Sequence, residues 1–262
     1  MMNHQSYGQR FAGKNIVVTG AASGIGLATS LRLAAEGGNV YAFDVNEAGL
    51  QVLAEQAQGL SGSVQTTVAS VTDRAAVQAI IDRAAAAEGG LHVLVNVAGL
   101  LRVQSFDTID EAALDQLLDV NLKGTFIACQ LAMPHLLKTK GNIVNTSSTS
   151  ALYGHPYMTH YAASKGAVGA FTQSLAWEYL RSGVRVNAVA PGGVTTPLSG
   201  SVPQQMVQAG IEADWSLFGH LQRPDGIFGD PEQIAGVIAM LASDDGAFVN
   251  GVVLRADGGN HS

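Results

Sequence analysis

Apolar positions along this chain alternate between two spacings. Residues 15–19 form a short β-branched run closed by Gly20, which predicts a strand followed by a turn. From Ile25 to Glu36 apolar residues recur at Ile25, Ala28, Leu31 and Ala35, one face of a helix, and Gly37-Gly38 stops it. The same alternation predicts strands at 39–43, 64–69, 93–96, 142–145, 184–189 and 252–254. Between them it predicts helices at 46–58, about 73–87, roughly 111–137 with Gly124 inside, about 157–182, and 231–243. Strands separated by helices of ten or more residues imply βαβ units, so the expected fold is α/β, a doubly wound parallel sheet covered on both faces. Residues 1–13 read as a polar N-terminal extension and 14–262 as one domain, with no repeat, low-complexity tract or linker.

Composition narrows the classes of function. The chain is 47% hydrophobic and 13% charged, which argues against long disordered stretches. Its net charge of −7 disfavours a nucleic-acid backbone or an anionic membrane surface as the main partner. One cysteine, Cys129, excludes an intramolecular disulfide and any multi-cysteine metal cluster, and its apolar surroundings read as core. No apolar run approaches the roughly 20 residues that span a bilayer, and the N-terminus has no apolar core of signal-peptide length. A cytoplasmic protein is expected.

The first strand, turn and helix read Thr19-Gly20-Ala21-Ala22-Ser23-Gly24-Ile25-Gly26. Glycines suit a tight turn that a pyrophosphate must approach closely, and the helix N-terminus offers free N–H groups and a positive dipole end. Alone this is a weak signal, but it opens the first βα unit, so a Rossmann-type nucleotide site is expected. The second strand ends at Asp44, eighteen residues after Gly26, where a carboxylate accepts hydrogen bonds from ribose hydroxyls and repels a 2′-phosphate. With no Lys or Arg between Thr19 and Gly26 or from Asp44 to Gln51, the expected cofactor is NAD.

Tyr161 and Lys165 stand at i and i+4, on one helix face. An unperturbed phenol has a pKa near 10 and is a poor base at neutral pH. A neighbouring ammonium and an oxidised nicotinamide would favour the phenolate, and a fall of roughly three units requires about 4 kcal/mol. A Tyr-x-x-x-Lys pair by itself is common on solvated helices.

Together these motifs resemble the short-chain dehydrogenase/reductase family, in its single-domain branch, from about Lys14 to Gly259. The glycine segment matches the family's TGxxxGxG. Asn96-Val97-Ala98-Gly99 is similar to its NNAG segment, with Val97 in place of the second Asn. The resemblance implies Asn121 as the catalytic asparagine, holding a proton-relay water near Lys165. It implies Ser148, thirteen residues before Tyr161, as the catalytic serine, with Ser147 as the fallback. Tyr161 would exchange the substrate proton and Lys165 would bind the nicotinamide ribose. Asn96, Ala98 and Gly99 would lie beside the cofactor, as would Pro191 and Gly192. Val194 would offer its backbone, and Thr196 its hydroxyl, to the carboxamide. Where the family often has an aspartate before Val71, this chain has Ser70, so the grip on adenine is expected to be looser.

The family's substrate lid corresponds to about 198–228, with Pro203, Trp215, Leu217, Phe218 and Pro224 as its rigid or apolar positions. Substrate contacts are expected from Leu100, Ser150, His155 and Trp215, with Leu101 a further candidate. His155 and His160 lack the spacing and the carboxylate of a metal site, so no metal is expected. Arg102 is a candidate for a substrate carboxylate, and an exposed surface position is its simpler reading. The expected substrate is a small alcohol or ketone. The competing functions are a ketone reductase of the 3-oxoacyl-carrier-protein type, which would use NADPH, and a non-catalytic cofactor sensor. A sensor usually lacks one of the four catalytic residues, and all four are present. Apolar residues on the 111–137 and 157–182 helices exceed what one sheet face needs, and the family resemblance implies a homotetramer.

Overall fold

The computed structural model describes residues 8–221 and 225–261. Seven strands, β1 (Asn15–Thr19), β2 (Asn39–Asp44), β3 (Ser63–Val68), β4 (Leu91–Asn96), β5 (Asn142–Thr146), β6 (Arg185–Pro191) and β7 (Val253–Ala256), form one sheet. Every pair is parallel and the order is β3-β2-β1-β4-β5-β6-β7. The winding reverses between β1 and β4, which opens a crevice at the carboxyl ends of the strands.

Nine α-helices accompany the sheet among the described residues: α1 (Gly24–Ala35), α2 (Glu47–Gln56), α3 (Arg74–Ala86), α4 (Glu111–Leu118), α5 (Thr125–Thr139), α6 (Thr159–Glu178), α7 (Pro197–Gly200), α8 (Val202–Gln208) and α9 (Pro231–Ala242). Leu31, Leu53 and Ile238 bury α1, α2 and α9 on one face. Ile81, Leu136 and Ala176 bury α3, α5 and α6 on the other. A third, smaller core (Val103, Leu117, Met158, Met206, Phe218) lies apart from the two that sandwich the sheet.

Several boundaries differ from the sequence pattern. The helix expected over 111–137 is interrupted by a π turn, Asp119–Gly124, whose Gly124 packs closely against Val71. A Cβ at Gly124 would stand 2.6 Å from Val71 Cγ2. α6 starts at Thr159 rather than 157, since Tyr157 takes a left-handed φ of +63°, costly for a bulky side chain. β7 begins one residue later than expected and runs on to Ala256. The polar extension, finally, does not reach residue 13 as a free tail. Phe11 is 1% exposed, and Arg10 pairs with Glu36 and Asp245. Between α7 and α9 the chain also forms a 3₁₀ turn, Trp215–Leu221. Pro224 lies outside the described residues.

Candidate active site

The nucleotide end is built from main chain. Gly20 leaves β1 with φ +68°, a left-handed conformation that favours glycine. Gly26 sits where a Cβ would be 1.9 Å from the Gly20 carbonyl oxygen, so only a bare backbone lets α1 start against the turn. Ser23 caps α1 in extended conformation without a side-chain bond to the helix, leaving first-turn N–H groups for another acceptor. Gly20, Ser23, Gly24 and Ile25 line the cleft, whereas Gly26 supports it from behind.

Asp44 lines the same end. Its Oδ2 accepts from Ala22 N at 3.1 Å and its Oδ1 from Asn46 N at 2.9 Å, which fixes the carboxylate at the mouth of the turn. Ser70 and Val71 lie opposite, but the Ser70 hydroxyl is already engaged by Thr72 N at 3.2 Å and Thr72 Oγ1 at 2.8 Å. Ala98 and Gly99 line the cleft after β4, and Val97 N and Ala98 N donate to Thr19 Oγ1. Asn96 is not among the residues of the cleft wall. Its Nδ2 donates to Asn145 Oδ1 at 2.9 Å and Cys129 Sγ at 3.3 Å, so its side chain ties strands together beneath the site. Cys129 is inert there, with burial pushing its thiol up to about 12. Pro191, Gly192, Val194 and Thr196 line the middle of the cleft. Thr196 Oγ1 accepts from Ser199 N at 3.2 Å, capping α7.

The four expected catalytic residues converge from β5, α6 and the π turn. Tyr161 is buried, and the Ser148 side chain stands near enough to its phenol to favour the ionised form. Ser147 instead donates to the Lys165 carbonyl at 2.9 Å, so Ser148 is the serine that meets the phenol. Lys165 Nζ donates to the Thr146 carbonyl at 2.9 Å. Asn121 is fully enclosed: its Oδ1 accepts from Leu100 N at 2.7 Å, and its Nδ2 donates to Leu100 O and Ser164 Oγ, both at 2.9 Å. The side chain is therefore spent on bracing the loop after β4 against α6. A Cβ on Gly99 would be 3.2 Å from both Asn121 Oδ1 and Lys165 Nζ, which places all three together.

Electrostatics in this dry corner run against the simplest expectation. Burial pushes the Tyr161 phenol up, and the nearby Ser148 side chain works against that shift. Burial also pushes Lys165 down to about 8. The expected lowering of the phenol is thus not a property of the protein alone; it requires a further positive charge.

Toward the substrate end, Leu100, Ser150 and His155 line the cleft as expected. Trp215 does not: it is 63% exposed and packs tilted against Phe218, with ring centroids 5.3 Å apart. Phe218 and Leu221 reach the cleft from that turn, and Pro203 and Val202 reach it from α8. Arg102 is exposed and bonded to Gln116, away from the cleft. Met158 and Asn260 were absent from the sequence expectation. Met158 carries a signal in its place three residues before Tyr161, but nothing near Asn260 marks it. Among the described residues no three His, Cys, Asp or Glu side chains are grouped for a metal ion. No helix among them is long and apolar enough to cross a membrane.

The cleft encloses about 1060 Å³, room for a dinucleotide and a small substrate. The residues present fit such a cofactor. A bare helix terminus waits for an anion, and a fixed carboxylate waits for ribose hydroxyls. Among the described lining residues, Lys165 is the one Lys or Arg.

Known proteins agree with this geometry. Residues 14–207 match the model of a family described as short chain dehydrogenase. The chain is 40% identical over 251 residues to a 3-oxoacyl-[acyl-carrier-protein] reductase of Thermotoga maritima, covering 95% of this chain and 98% of that protein. It is 39% identical to a cis-4-hydroxycyclohexanecarboxylate dehydrogenase of Sinomonas cyclohexanicum, covering 96% and 98%. A short chain dehydrogenase from Mycobacterium paratuberculosis, solved bound to NAD, superposes with a TM-score of 0.89 at 28% identity, over 96% of this chain and 99% of that one.

Proposed function

This chain belongs to the short-chain dehydrogenase family and is an oxidoreductase of alcohol and ketone groups, and from that premise we propose that it oxidises a secondary alcohol with NAD, Tyr161 serving as general acid/base. The observation that carries this reading is the placing of buried Tyr161 on the cleft wall with Lys165 one helical turn on and Ser148 lining the same wall.

Gly20, Ser23, Gly24 and Ile25 would hold the pyrophosphate, Asp44 the adenosine ribose, and Val194 and Thr196 the carboxamide. When bound, NAD supplies the acceptor for the carbinol hydride. Ser148 orients the substrate oxygen by hydrogen bonding. Tyr161 takes the hydroxyl proton as the carbonyl forms, and returns it in the reverse direction. Lys165, buried and held by the Thr146 carbonyl, stabilises the phenolate. Asn121 acts through others, as a positioning residue for the Leu100 backbone and α6.

A second reading has an observation in its favour. The similarity to a Thermotoga 3-oxoacyl-carrier-protein reductase points to ketone reduction, for which NADPH and a basic docking patch would be expected. Asp44 and the −7 net charge weigh against both. The NAD-bound Mycobacterium neighbour supports the first reading. The test is initial rates with both nicotinamides. Hydrogen bonding of ribose to a carboxylate gives NAD an advantage of about ten- to hundredfold in kcat/KM. Equal or better turnover with NADP would reverse the choice.

The proposal includes a homotetramer in the cytoplasm. Phe126 and Leu137 on α5, Trp177 on α6, and Leu180 just beyond it are exposed, an apolar face suited to a second copy. A monomer in sedimentation would overturn it.

A further inference from the structure

One polar group at the substrate end has a fixed direction. His155 Nδ1 lies 3.0 Å from the Tyr153 carbonyl. A carbonyl only accepts, so Nδ1 carries the proton and Nε2 presents a bare lone pair. Burial, and then the nearby His261 and His220, push the His155 pKa down against the Tyr153 hydrogen bond, so the ring stays neutral. Asn260 repeats the pattern. Its Nδ2 donates to the Leu221 carbonyl at 2.8 Å, and its Oδ1, an acceptor, is buried without a partner. Ser150, 5% exposed, also has an unpartnered hydroxyl. All three residues line the cleft among apolar Leu100, Met158 and Phe218.

Buried polar atoms are normally paired, and an unpaired group discriminates strongly between ligands that satisfy it and ligands that do not. A carboxylate or ketone oxygen placed against His155 Nε2 would set acceptor against acceptor. An ammonium would lack a carboxylate there, since Asp44 is the only acid among the described lining residues and stands at the nucleotide end. A hydroxyl suits this end, because it donates to His155 Nε2.

We propose that the substrate carries a second hydroxyl beside the carbinol that is oxidised, and that His155 Nε2 is the residue that reads it. This rests on the alcohol-oxidation reading given above. His155 is therefore a specificity-determining residue, and the preferred substrates are uncharged, mainly apolar diols.

The test compares cyclohexanol with 1,2-, 1,3- and 1,4-cyclohexanediol, using NAD, on the wild type, His155→Phe and His155→Gln. The ratio of kcat/KM between two substrates on one sample does not depend on how much of that sample is folded. In the wild type at least one diol should exceed cyclohexanol by about tenfold, the weight of one well-made hydrogen bond and well above the factor of two from doubled hydroxyls. His155→Phe should bring that ratio to about two, and His155→Gln, which restores an acceptor, should recover part of it. Equal rates for cyclohexanol and every diol, or a preference that survives in His155→Phe, overturn the inference and leave the proposed function standing. A wild type that oxidises none of the four, and so matches Tyr161→Phe, overturns the proposed function and this inference with it.

Discussion

The two ends of the cleft are made of different material. At the nucleotide end, β1, α1 and β2 present backbone: a left-handed Gly20, a Gly26 touching it, free N–H groups and one pinned carboxylate. At the substrate end, side chains arrive from the loop after β4, the loop before α6, α8, the 215–221 turn and the segment after β7. Backbone sites tolerate almost no substitution, because main-chain atoms have nowhere to move. Side-chain sites change ligand with one residue while the sheet stays as it is. On the proposed function, the first end holds the cofactor, the second receives the substrate, and Tyr161 and Lys165 stand between them.

The sharpest way to break this comparison is Gly26→Ala. Its Cβ would stand 1.9 Å from a carbonyl oxygen in the backbone of the turn. The expected outcome is loss of detectable NADH binding by fluorescence titration, with a fall in unfolding free energy of about 3 kcal/mol or more. Wild-type affinity in that variant would mean the turn is soft, and the contrast would fail.

A smaller effect concerns the charge between the two ends. Lys165 has a folded pKa of about 8 against an ordinary value of 10.5. Between those values the unfolded chain holds a proton that the folded chain has lost, so stability rises with pH. Urea unfolding from pH 8 to 9.5 should show the wild type gaining about 1 to 2 kcal/mol relative to Lys165→Met. Tyr161, shifted upward, contributes the opposite sign above its ordinary range, and it is present in both proteins. A flat difference would show that Lys165 is solvated in the folded state.

The smallest change in fold is expected from Phe218→Ala. Phe218 is buried but belongs to the small third core, which can open without unfolding the sheet. KM for the alcohol should rise several-fold while global stability moves by less than about 1 kcal/mol. A large loss of stability would make the 215–221 turn part of the main core.

The same contrast explains what was legible in the sequence. Strands, their helices, the glycine turn, Asp44 and the Tyr161–Lys165 pair are local patterns, and each spans fewer than thirty residues. The choice of Ser148 over Ser147 rests on the family resemblance, and in the structure Ser147 donates to the Lys165 carbonyl. The π turn was not legible, because apolar spacing runs through it unbroken and Gly124 alone does not mark one. Nor was the order of the aromatics in the turn. Trp215 and Phe218 are one helical turn apart, and only packing decides that Phe218 faces in. Asn96 carries a recognised motif but points into the sheet, where Asn145 holds it. Asn260 follows the last strand with no periodicity to mark it.

The account turns on Tyr161 as the proton carrier in a cleft that binds its cofactor independently of that hydroxyl. The most direct measurement titrates NADH binding by fluorescence and follows alcohol oxidation at 340 nm (the NADH absorbance) on the same samples of wild type and Tyr161→Phe. The account predicts an NADH affinity within about twofold of wild type and a kcat lower by at least about a hundredfold, the lower end of what a positioned acid/base contributes. Turnover in Tyr161→Phe at more than about a tenth of the wild-type rate would contradict it.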